Sequence, residues 1–265
     1  MAEILNVKGA TIRFGALAAV NKVSMAQNDG DIISLIGPNG AGKTTLFNLL
    51  TGIYQPDEGE IFFHGENITS LKPHQRVQKG ISRTFQNIRL FAAMTVLENL
   101  LVANAGCSGE GVFRAVLGGK GLARQRREIV EQCENILETV GLEDKAGEMA
   151  TSLPYGKQRL LEIGRALSTG PKLVLLDEPG AGMNGAEKEE LTKLIYHIKD
   201  KMKKNVLLIE HDMKFVMNIS HHIVVLDHGE KIAEGLPCAI QKNRQVIEAY
   251  LGRAAFTFDE EAQNA

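Results

Sequence analysis

Cysteine is scarce in this sequence: among 265 residues there are three, Cys107, Cys133 and Cys238. They are scattered, odd in number and without a C-x-x-C pair, which disfavours a disulfide framework and a zinc site. We therefore expect reduced thiols in a cytosolic setting.

Neither sign of charge dominates, because the chain has 30 basic and 32 acidic residues and a formal net charge of −2. A nucleic-acid partner usually leaves a basic footprint, so none is expected.

Long apolar runs are also missing. No stretch approaches the roughly 20 apolar residues that a bilayer span requires, and the N-terminal residues lack the charged and then apolar pattern of a secretion signal. We expect a protein that reaches a membrane only through partners, from its cytoplasmic side. The composition, 44% hydrophobic and 23% charged, is that of an ordinary globular protein. The length suits one large domain or two small ones.

What the sequence does contain is a phosphate-binding pattern. Residues 35–45 read LIGPNGAGKTT, which completes G-x-x-x-x-G-K-[ST] from Gly37 to Thr44. A strand-like run at 31–36 precedes this loop and a helical run at 43–50 follows it, as the motif requires. A glycine-rich turn could match by chance, but the strand, loop and helix in register favour a site for a nucleoside triphosphate.

Each residue type in this loop has a chemical reason. Glycines at 37, 40 and 42 let backbone N–H groups turn inward around phosphate oxygens. The helix that begins at Lys43 points its positive end toward the same oxygens. Lys43 would reach the β- and γ-phosphates, and the hydroxyl of Thr44 would ligate Mg²⁺.

Periodicity and turn residues predict a strand-rich N-terminal region, a helical middle and a mixed C-terminal region. The apolar runs at 173–176 and 206–209 do not alternate with polar residues, so we expect parallel strands covered on both faces. The segment 257–265 is polar and acidic, which is typical of disorder. The other predictions are strands at 4–7, 10–14, 23–26 and 60–64, turns at 28–30 and 56–59, helical structure from 96 to 167 with a glycine-rich connection at 106–121 and a cap at Gly141, a helix at 186–202, and a hairpin of 223–226 with 231–233.

Two adjacent carboxylates, Asp177 and Glu178, end the first apolar run. Successive strand residues face opposite ways, so the two can take different tasks. Asp177 would hold Mg²⁺ through its water shell, and Glu178 would polarise the water that attacks the γ-phosphate. A solvated acidic pair is the alternative, which the upstream phosphate loop disfavours. His211 follows the second run; a packed or capping role competes with a γ-phosphate contact, which we favour because ligands collect beyond the carboxyl ends of parallel strands.

Gln86 and residues 153–158 complete the candidate set. Gln86 lies where strand character gives way to helix, so it could couple a metal site to a moving helical part or be an ordinary surface amide. Residues 153–158 open a helix, where Gly156 exposes backbone N–H groups as an anion site. The chain has no second phosphate-binding motif to use that site, which suggests that it serves the nucleotide of another molecule.

In this order, the motifs resemble those of the nucleotide-binding subunits of ABC transporters, over nearly the whole chain. The resemblance implies an α/β fold: a P-loop NTPase (RecA-like) core with an antiparallel β subdomain and an inserted α-helical subdomain. It assigns 1–87 and 168–253 to the core, 88–167 to the helical subdomain and 254–265 to a disordered tail. The family's names for the motifs are phosphate loop for Gly37 to Thr44, Q-loop for Gln86, signature for 153–158, Walker B for Asp177 with the catalytic Glu178, D-loop for 181–184 and switch for His211.

The resemblance also implies ATP and Mg²⁺ as cofactors. In that family two subunits meet head to tail, and each ATP lies between one phosphate loop and the partner's signature helix. Phe14 stands where the family places an aromatic that stacks on adenine. The implied catalytic residues are Lys43, Glu178 and His211, and the implied Mg²⁺ ligands are Thr44, Gln86 and Asp177. The implied nucleotide-binding residues are Phe14, Gly37, Pro38, Asn39, Gly40, Ala41, Gly42, Lys43, Thr44, Thr45, Gln86, Leu153, Tyr155 and Gly156.

Two departures from the family pattern indicate a subfamily. The signature reads LPYGK at 153–157 where Leu-Ser-Gly-Gly-Gln is usual, so the serine contact to the γ-phosphate is missing. Asn184 replaces the common aspartate of the D-loop. Both variations are similar to those of the branched-chain amino-acid importers, as are the segments at 83–86, 209–213 and 249–252.

We therefore expect an ABC-type ATPase subunit that pairs with a second ATPase subunit, identical or different, around two ATP. Its other partners would be transmembrane permease subunits and, indirectly, a solute-binding protein, with leucine, isoleucine or valine as solute. The alternative is an ATPase of lipopolysaccharide export, which shares the scaffold, or of another ABC transport system. A non-transport relative would need coiled-coil insertions or a second ATPase half. A stand-alone P-loop kinase would lack the signature helix, and a pure binding module would lack Glu178.

Overall fold

The computed structural model describes residues 3–107 and 120–251. By packing, the chain forms two units: unit 1 comprises residues 1–72 and 205–265, and unit 2 comprises residues 73–204. Numbered along the chain, unit 1 contains β1 (Glu3–Phe14), β2 (Leu17–Asn28), β3 (Ile32–Ile36), α1 (Lys43–Thr51), β4 (Glu58–Phe63), β5 (Glu66–Asn67), β8 (Asn205–Ile209), α7 (Met213–Ile219), β9 (His222–Asp227), β10 (Glu230–Gly235), α8 (Pro237–Ile240) and α9 (Arg244–Leu251). Unit 2 contains α2 (Pro73–Lys79), β6 (Ile81–Arg83), α3 (Val96–Cys107), α4 (Lys120–Thr139), 3₁₀ turns at Glu143–Lys145 and Ala150–Ser152, α5 (Tyr155–Ser168), β7 (Leu173–Asp177) and α6 (Gly185–Asp200).

The N-terminal strands form an antiparallel sheet in the order β2-β1-β4-β5. The predicted pair of strands at 4–7 and 10–14 is wrong in one respect, because β1 runs through both as one strand. Its register with β2 shifts between Val7 and Ala10, at a bulge that contains Gly9 with φ of 59°. The predicted turn at 56–59 is also too long, since β4 already begins at Glu58. A side chain on Gly59 would overlap the backbone of Gly9, so the two strands approach closely there.

The other sheet of unit 1 is built around β3, which pairs in parallel with β8 on one side and β9 on the other. Leu35 of β3 lies opposite Ile209 of β8 and opposite Val224 of β9. All five residues of β8 are buried, which confirms the prediction from the apolar run at 206–209, and all five residues of β3 are buried as well. β10 pairs antiparallel with β9 and completes the predicted hairpin, whose turn carries His228 and Gly229 at positive φ.

In unit 2, β6 pairs in parallel with β7, and helices α3, α4 and α5 pack together. Cys133, Ile136 and Leu137 form the buried face of α4, and Val140, just after the end of the helix, is buried as well. A Cβ on Gly164 of α5 would lie 3.5 Å from the Val140 side chain, an ordinary van der Waals contact, so α5 packs beside the C-terminal end of α4. Gly141 has φ of 65° and caps α4 as predicted. The long helical region is broken by turns between 140 and 154, and α6 ends two residues before the predicted position 202.

Several predictions concern limits of segments. The subdomain limits at 87/88 and 167/168 remain a prediction. Most of the glycine-rich connection at 106–121 and all of the tail at 254–265 lie outside the described residues. Within the described ranges 3–107 and 120–251, no helix has both the length and the apolar character needed to span a bilayer.

Candidate active site

The phosphate loop lies in unit 1 between β3 and α1, in the predicted strand–loop–helix order. The Nζ of Lys43 donates to the carbonyl oxygens of Gly37 and Pro38, at 2.7 and 2.8 Å. The N-cap of α1 is Gly42, which has φ of 98° and brings no side-chain acceptor to the helix start. The loop therefore combines the positively charged Lys43 side chain with the N-terminal end of helix α1. Both favour the binding of an anion.

Two of the loop glycines are required by close backbone approach. A Cβ on Gly37, whose φ is 148°, would overlap the carbonyl oxygen of Leu226. A Cβ on Gly42 would overlap the carbonyl oxygen of Ala19 in β2. Gly40 has φ of 82° and open space around its Cβ position. The sequence explained these glycines by access to phosphate; the structure adds that neighbouring strands press against the loop from outside.

Phe14 ends β1 in the same unit and leaves 48% of its surface exposed. Its ring meets that of Tyr54 edge to face, with centroids 5.3 Å apart. An exposed aromatic ring braced by a second one can offer its free face to a planar ligand. The role of Phe14 in stacking on adenine remains a prediction, and Tyr54 is a supporting residue that sequence reasoning missed.

His211 lies two residues beyond β8, at the same sheet edge as the phosphate loop. That placement follows from the register, because Leu35 and Ile209 are partners in adjacent parallel strands. The His211 side chain is 61% exposed and its Nδ1 lies 3.9 Å from Oε2 of the buried Glu210. The neighbouring Asp212, rather than His211, caps the helix α7 by accepting the N–H of Phe215. The capping alternative therefore does not apply to His211.

Asp177 ends β7 in unit 2 and is 2% exposed. Its Oδ2 accepts a hydrogen bond from Nη2 of Arg83 at 2.7 Å, and both side chains are buried. Its backbone N–H donates to Oγ1 of Thr84 at 3.1 Å. Arg83 and Thr84 stand beside Asp177 because β6 and β7 run parallel in register. The Arg83–Asp177 pair was not predicted, although the adjacent parallel runs could have suggested it.

Glu178 adopts φ of 48°, a left-handed conformation that costs a residue with a side chain free energy. Its Oε2 accepts from Nε2 of Gln86 at 3.3 Å, so the structure brings two predicted site residues together. Non-glycine residues in this conformation concentrate at functional sites, where the surrounding contacts hold them. The strained turn aims the Glu178 carboxylate at Gln86 rather than along the strand.

The signature segment begins α5, with Pro154 as the N-cap and Tyr155 as the first helical residue. No side chain caps this helix start, so it matches the predicted anion site in unit 2. Gly156 is buried, and a Cβ on it would overlap the carboxylate of Glu187 in α6. Lys157 is partly exposed and lies 3.7 Å from Glu190, a distance typical of a weak surface pair.

A buried arginine joins the signature helix to the Gln86 segment. Arg159 is 3% exposed and donates to the carbonyl oxygens of Phe85 and Gln86 and, at 3.1 Å, to the hydroxyl of Tyr155. It also lies 3.3 Å from Oε2 of the buried Glu162, whose Oε1 accepts the N–H of Phe85 at 3.3 Å. Burial raises the pKa of Glu162, against the opposing influence of that N–H and of Arg159. Sequence reasoning missed this pair. A possible signal was the segment RLLE at 159–162, in which two leucines separate an arginine from a glutamate.

The D-loop at 181–184 packs against the same helix start. Gly182 has φ of 75°, and a Cβ on it would lie 2.9 Å from the ring of Tyr155. Asn184 caps α6 by accepting the N–H of Glu187, and the Glu187 side chain accepts the N–H of Asn184 in return. The residue that departs from the family's aspartate thus has a structural task.

The strand, the glycine cradle and the helix that leaves it define a P-loop nucleotide-binding protein. Residues 20–181, more than half of the chain, match the family model described as ABC transporter. Residues 230–255 match the model described as branched-chain amino acid ATP-binding cassette transporter. The chain belongs to the ABC transporter family.

Relatives in that family resemble the chain over almost its full length. It is 47% identical over 251 residues to the high-affinity branched-chain amino acid transport ATP-binding protein BraF of Pseudomonas aeruginosa, covering 95% of this chain and 98% of that protein. It is 45% identical to the protein LivG of Escherichia coli, described in the same words, with the same coverage. Among solved structures, a nucleotide-free ATP-binding cassette from an ABC transporter is 35% identical with a TM-score of 0.83, over 95% of this chain and 100% of that one. An ATP-binding cassette of an ABC transporter in its ADP conformation is also 35% identical with a TM-score of 0.83, over 96% and 100%.

Proposed function

We propose that this chain is the ATP-hydrolysing subunit of an importer of branched-chain amino acids. The observation that carries the ATPase part is the phosphate loop, where Lys43 bridges two loop carbonyls in front of a helix start. Support for the solute class comes from the 45–47% identity to transport proteins for branched-chain amino acids. The match at 230–255 to a family model with the same description supports it independently.

The protein would accelerate ATP hydrolysis by positioning the phosphates and the attacking water and by stabilising the negative charge of the transition state. Lys43 and the loop N–H groups would hold the phosphates, and His211 would contact the γ-phosphate. Glu178 would orient the attacking water, with Gln86 holding its carboxylate at 3.3 Å. The strained φ of Glu178 supports this role, because such strain persists where a side chain must be aimed.

Thr44, Gln86 and Asp177 would hold Mg²⁺, whose charge would offset that of the phosphates. Their hydroxyl, amide and carboxylate oxygens are donors that Mg²⁺ prefers. In the described part of the chain, no group of three or more His, Cys, Asp or Glu side chains is arranged to hold a metal ion. Mg²⁺ is commonly bound through one or two carboxylates together with the substrate's phosphates.

The uncapped start of α5 would complete the site of a second subunit, so that two chains close around two ATP. A transmembrane permease would bind unit 2 at a groove of about 510 Å³ that lies beside the Gln86 segment. This groove is lined by Phe85, Arg89, Phe91, Val102 and Arg165, among others, and exposes the apolar side chains of Phe91 and Val102. Movement of the permease would thus reach the residues next to Gln86 directly.

The test of the ATPase assignment is Glu178→Gln. We expect hydrolysis to fall by roughly two orders of magnitude or more, while ATP converts the protein from monomer to dimer on size-exclusion chromatography. Glu189→Gln is the matched control, because Glu189 is an exposed glutamate of α6 in the same unit. Hydrolysis at the parental rate in Glu178→Gln would overturn the catalytic assignment.

The solute class is tested separately. The protein is copurified with its native membrane partners, reconstituted, and assayed for ATPase stimulation by leucine, isoleucine and valine in the presence of the cognate solute-binding protein. Stimulation by another solute class alone, such as a lipopolysaccharide precursor, would reject the import of branched-chain amino acids. In the same preparation, Val102→Glu should reduce copurification of the permease, because a charge would enter the apolar groove.

A further inference from the structure

The C-terminal helix α9 reaches back to the phosphate loop. The hydroxyl of Tyr250 accepts a hydrogen bond from the backbone N–H of Gly37, at 2.8 Å and across 213 positions of sequence. Gly37 is the first residue of the loop and the one whose backbone presses against Leu226. The contact therefore joins the last described helix to the point where β3 becomes the phosphate loop.

Packing around this hydrogen bond holds α9 against the same strand. Val246, one helical turn before Tyr250, is 4% exposed and belongs to a buried cluster with Ile36 and Val225. Ile36 is the residue immediately before Gly37. The apolar cluster therefore positions α9, and the Tyr250 hydroxyl adds one directed contact to the adjacent loop residue.

The other side of Tyr250 is less densely packed. Its side chain lines a cavity of about 560 Å³ together with Met213, Met217 and Ile247, among others. Packing on that side does not force the hydroxyl into place, so the hydrogen bond itself selects its position. Tyr250 is 37% exposed in all, and partial burial raises the pKa of its hydroxyl against the opposing influence of the Gly37 N–H.

We propose that Tyr250 is a positioning residue of the phosphate loop: its hydroxyl fixes the N–H of Gly37 and so preorganises the loop for a triphosphate. The proposal rests on the proposed function in that the loop's ligand is ATP. Without the hydroxyl, Gly37 would sample other conformations before ATP arrives, and the bound loop geometry would form at a cost in affinity. Once ATP is bound, the phosphate oxygens hold the loop amides, so the chemical step should change little.

The test is Tyr250→Phe, which keeps the ring and its packing and removes only the hydroxyl. A net hydrogen bond corresponds to roughly a threefold to tenfold change in an equilibrium constant. We expect KM for ATP to rise by that factor and kcat to stay within about twofold. Hydrogen exchange of the Gly37 amide in the nucleotide-free protein should become faster by a similar factor.

Tyr196→Phe is the control, because it removes the hydroxyl of a half-buried helical tyrosine in unit 2. It should leave KM and the exchange of Gly37 unchanged. The proposal is overturned if Tyr250→Phe leaves both quantities at their parental values. It is also overturned if KM and kcat change only together with a general loss of thermal stability. Because exchange is measured without nucleotide, the hydrogen bond is tested even if the parental protein fails to hydrolyse ATP, which would instead reject the proposed function.

Discussion

Replacement of Arg159 by methionine gives the sharpest test of how the signature helix is joined to the Gln86 segment. Methionine fills much of the same volume but donates no hydrogen bond. The change removes the donor from the carbonyl oxygens of Phe85 and Gln86 and leaves Glu162 as a carboxylate that is 2% exposed. The backbone N–H groups of Phe85, at 3.3 Å, and of Arg89 still donate to this carboxylate, and the charge of Arg165 still stabilises it.

The expected loss follows from burial. Removing one partner of a buried ion pair costs about 3–5 kcal/mol, because the other charge is left without compensation. Arg159 and Glu162 are such a buried pair, with side chains 3% and 2% exposed. Because Arg165 still compensates part of the Glu162 charge, we expect a loss near the lower end of this range. In the double variant Arg159→Met, Glu162→Gln, the buried carboxylate is gone, and the glutamine oxygen can still accept the N–H of Phe85. Arg165 then loses its attraction to that carboxylate, which offsets part of the gain. We expect this variant to be more stable than Arg159→Met alone by about 1–3 kcal/mol.

A double-mutant cycle measures the coupling energy between the two side chains. Urea unfolding is compared, in midpoint and slope, for the parental protein, Arg159→Met, Glu162→Gln and the double variant.

The pH dependence of the stability has a definite sign. Burial raises the pKa of Glu162 in the folded state, so the protonated group favours folding at low pH and that contribution is lost as pH rises. Arg159→Met removes a charge that opposes this shift. Its stability deficit should therefore be smallest in acid and grow toward neutral pH.

Arg159→Lys separates charge from geometry. Lysine keeps the positive charge beside Glu162, but one ammonium cannot span the carbonyls of Phe85 and Gln86 and the hydroxyl of Tyr155 as the guanidinium does. Most of the stability should return, while kcat for ATP should stay reduced by roughly tenfold because Gln86 is less well placed. A coupling energy near zero between positions 159 and 162, or a deficit independent of pH, would refute the reasoning from burial.

Two further predictions concern single side chains. Asn184→Ala should lower stability by about 1 kcal/mol through loss of the capping box, whereas Asn184→Asp should keep it; equal urea midpoints for the two variants would contradict the capping role. Iodoacetamide at about pH 8 should label the exposed Cys238 and spare Cys133, which is buried and whose thiol pKa burial raises to about 11. Mass spectrometry of the native protein measures both sites, and equal labelling would contradict the buried placement of Cys133.

The parts of the fold that the sequence predicted are those with local signals. The buried strands β3, β7 and β8 follow from runs of apolar residues, and the phosphate loop follows from glycine and lysine spacing. The place of His211 follows as well, because parallel strands bring their carboxyl ends to one edge. In each case the local sequence is sufficient to predict the local structure.

The parts that were missed depend on contacts between distant segments. Gly59 fell within the predicted turn at 56–59, yet it lies in β4, where a Cβ would overlap the backbone of Gly9 in the neighbouring strand. The roles of Arg159 and Glu162 depend on the packing of α5 against the Gln86 segment, which is distant in sequence. Tyr250 is 213 positions from Gly37, and no pattern within one sequence predicts such a hydrogen bond.

The two departures from the family pattern are the signature at 153–157 and Asn184 of the D-loop, and these two segments pack against each other. On the signature side, the Tyr155 ring covers Gly182 and its hydroxyl accepts from Arg159. On the D-loop side, Asn184 and Glu187 cap each other, and the Glu187 carboxylate lies against Gly156.

A glycine at position 155 would uncover Gly182 and remove an acceptor from a buried arginine. The tyrosine of the signature and the asparagine of the D-loop are therefore parts of one packing arrangement within unit 2. A transplanted Leu-Ser-Gly-Gly-Gln signature should therefore loosen the D-loop and the Gln86 segment.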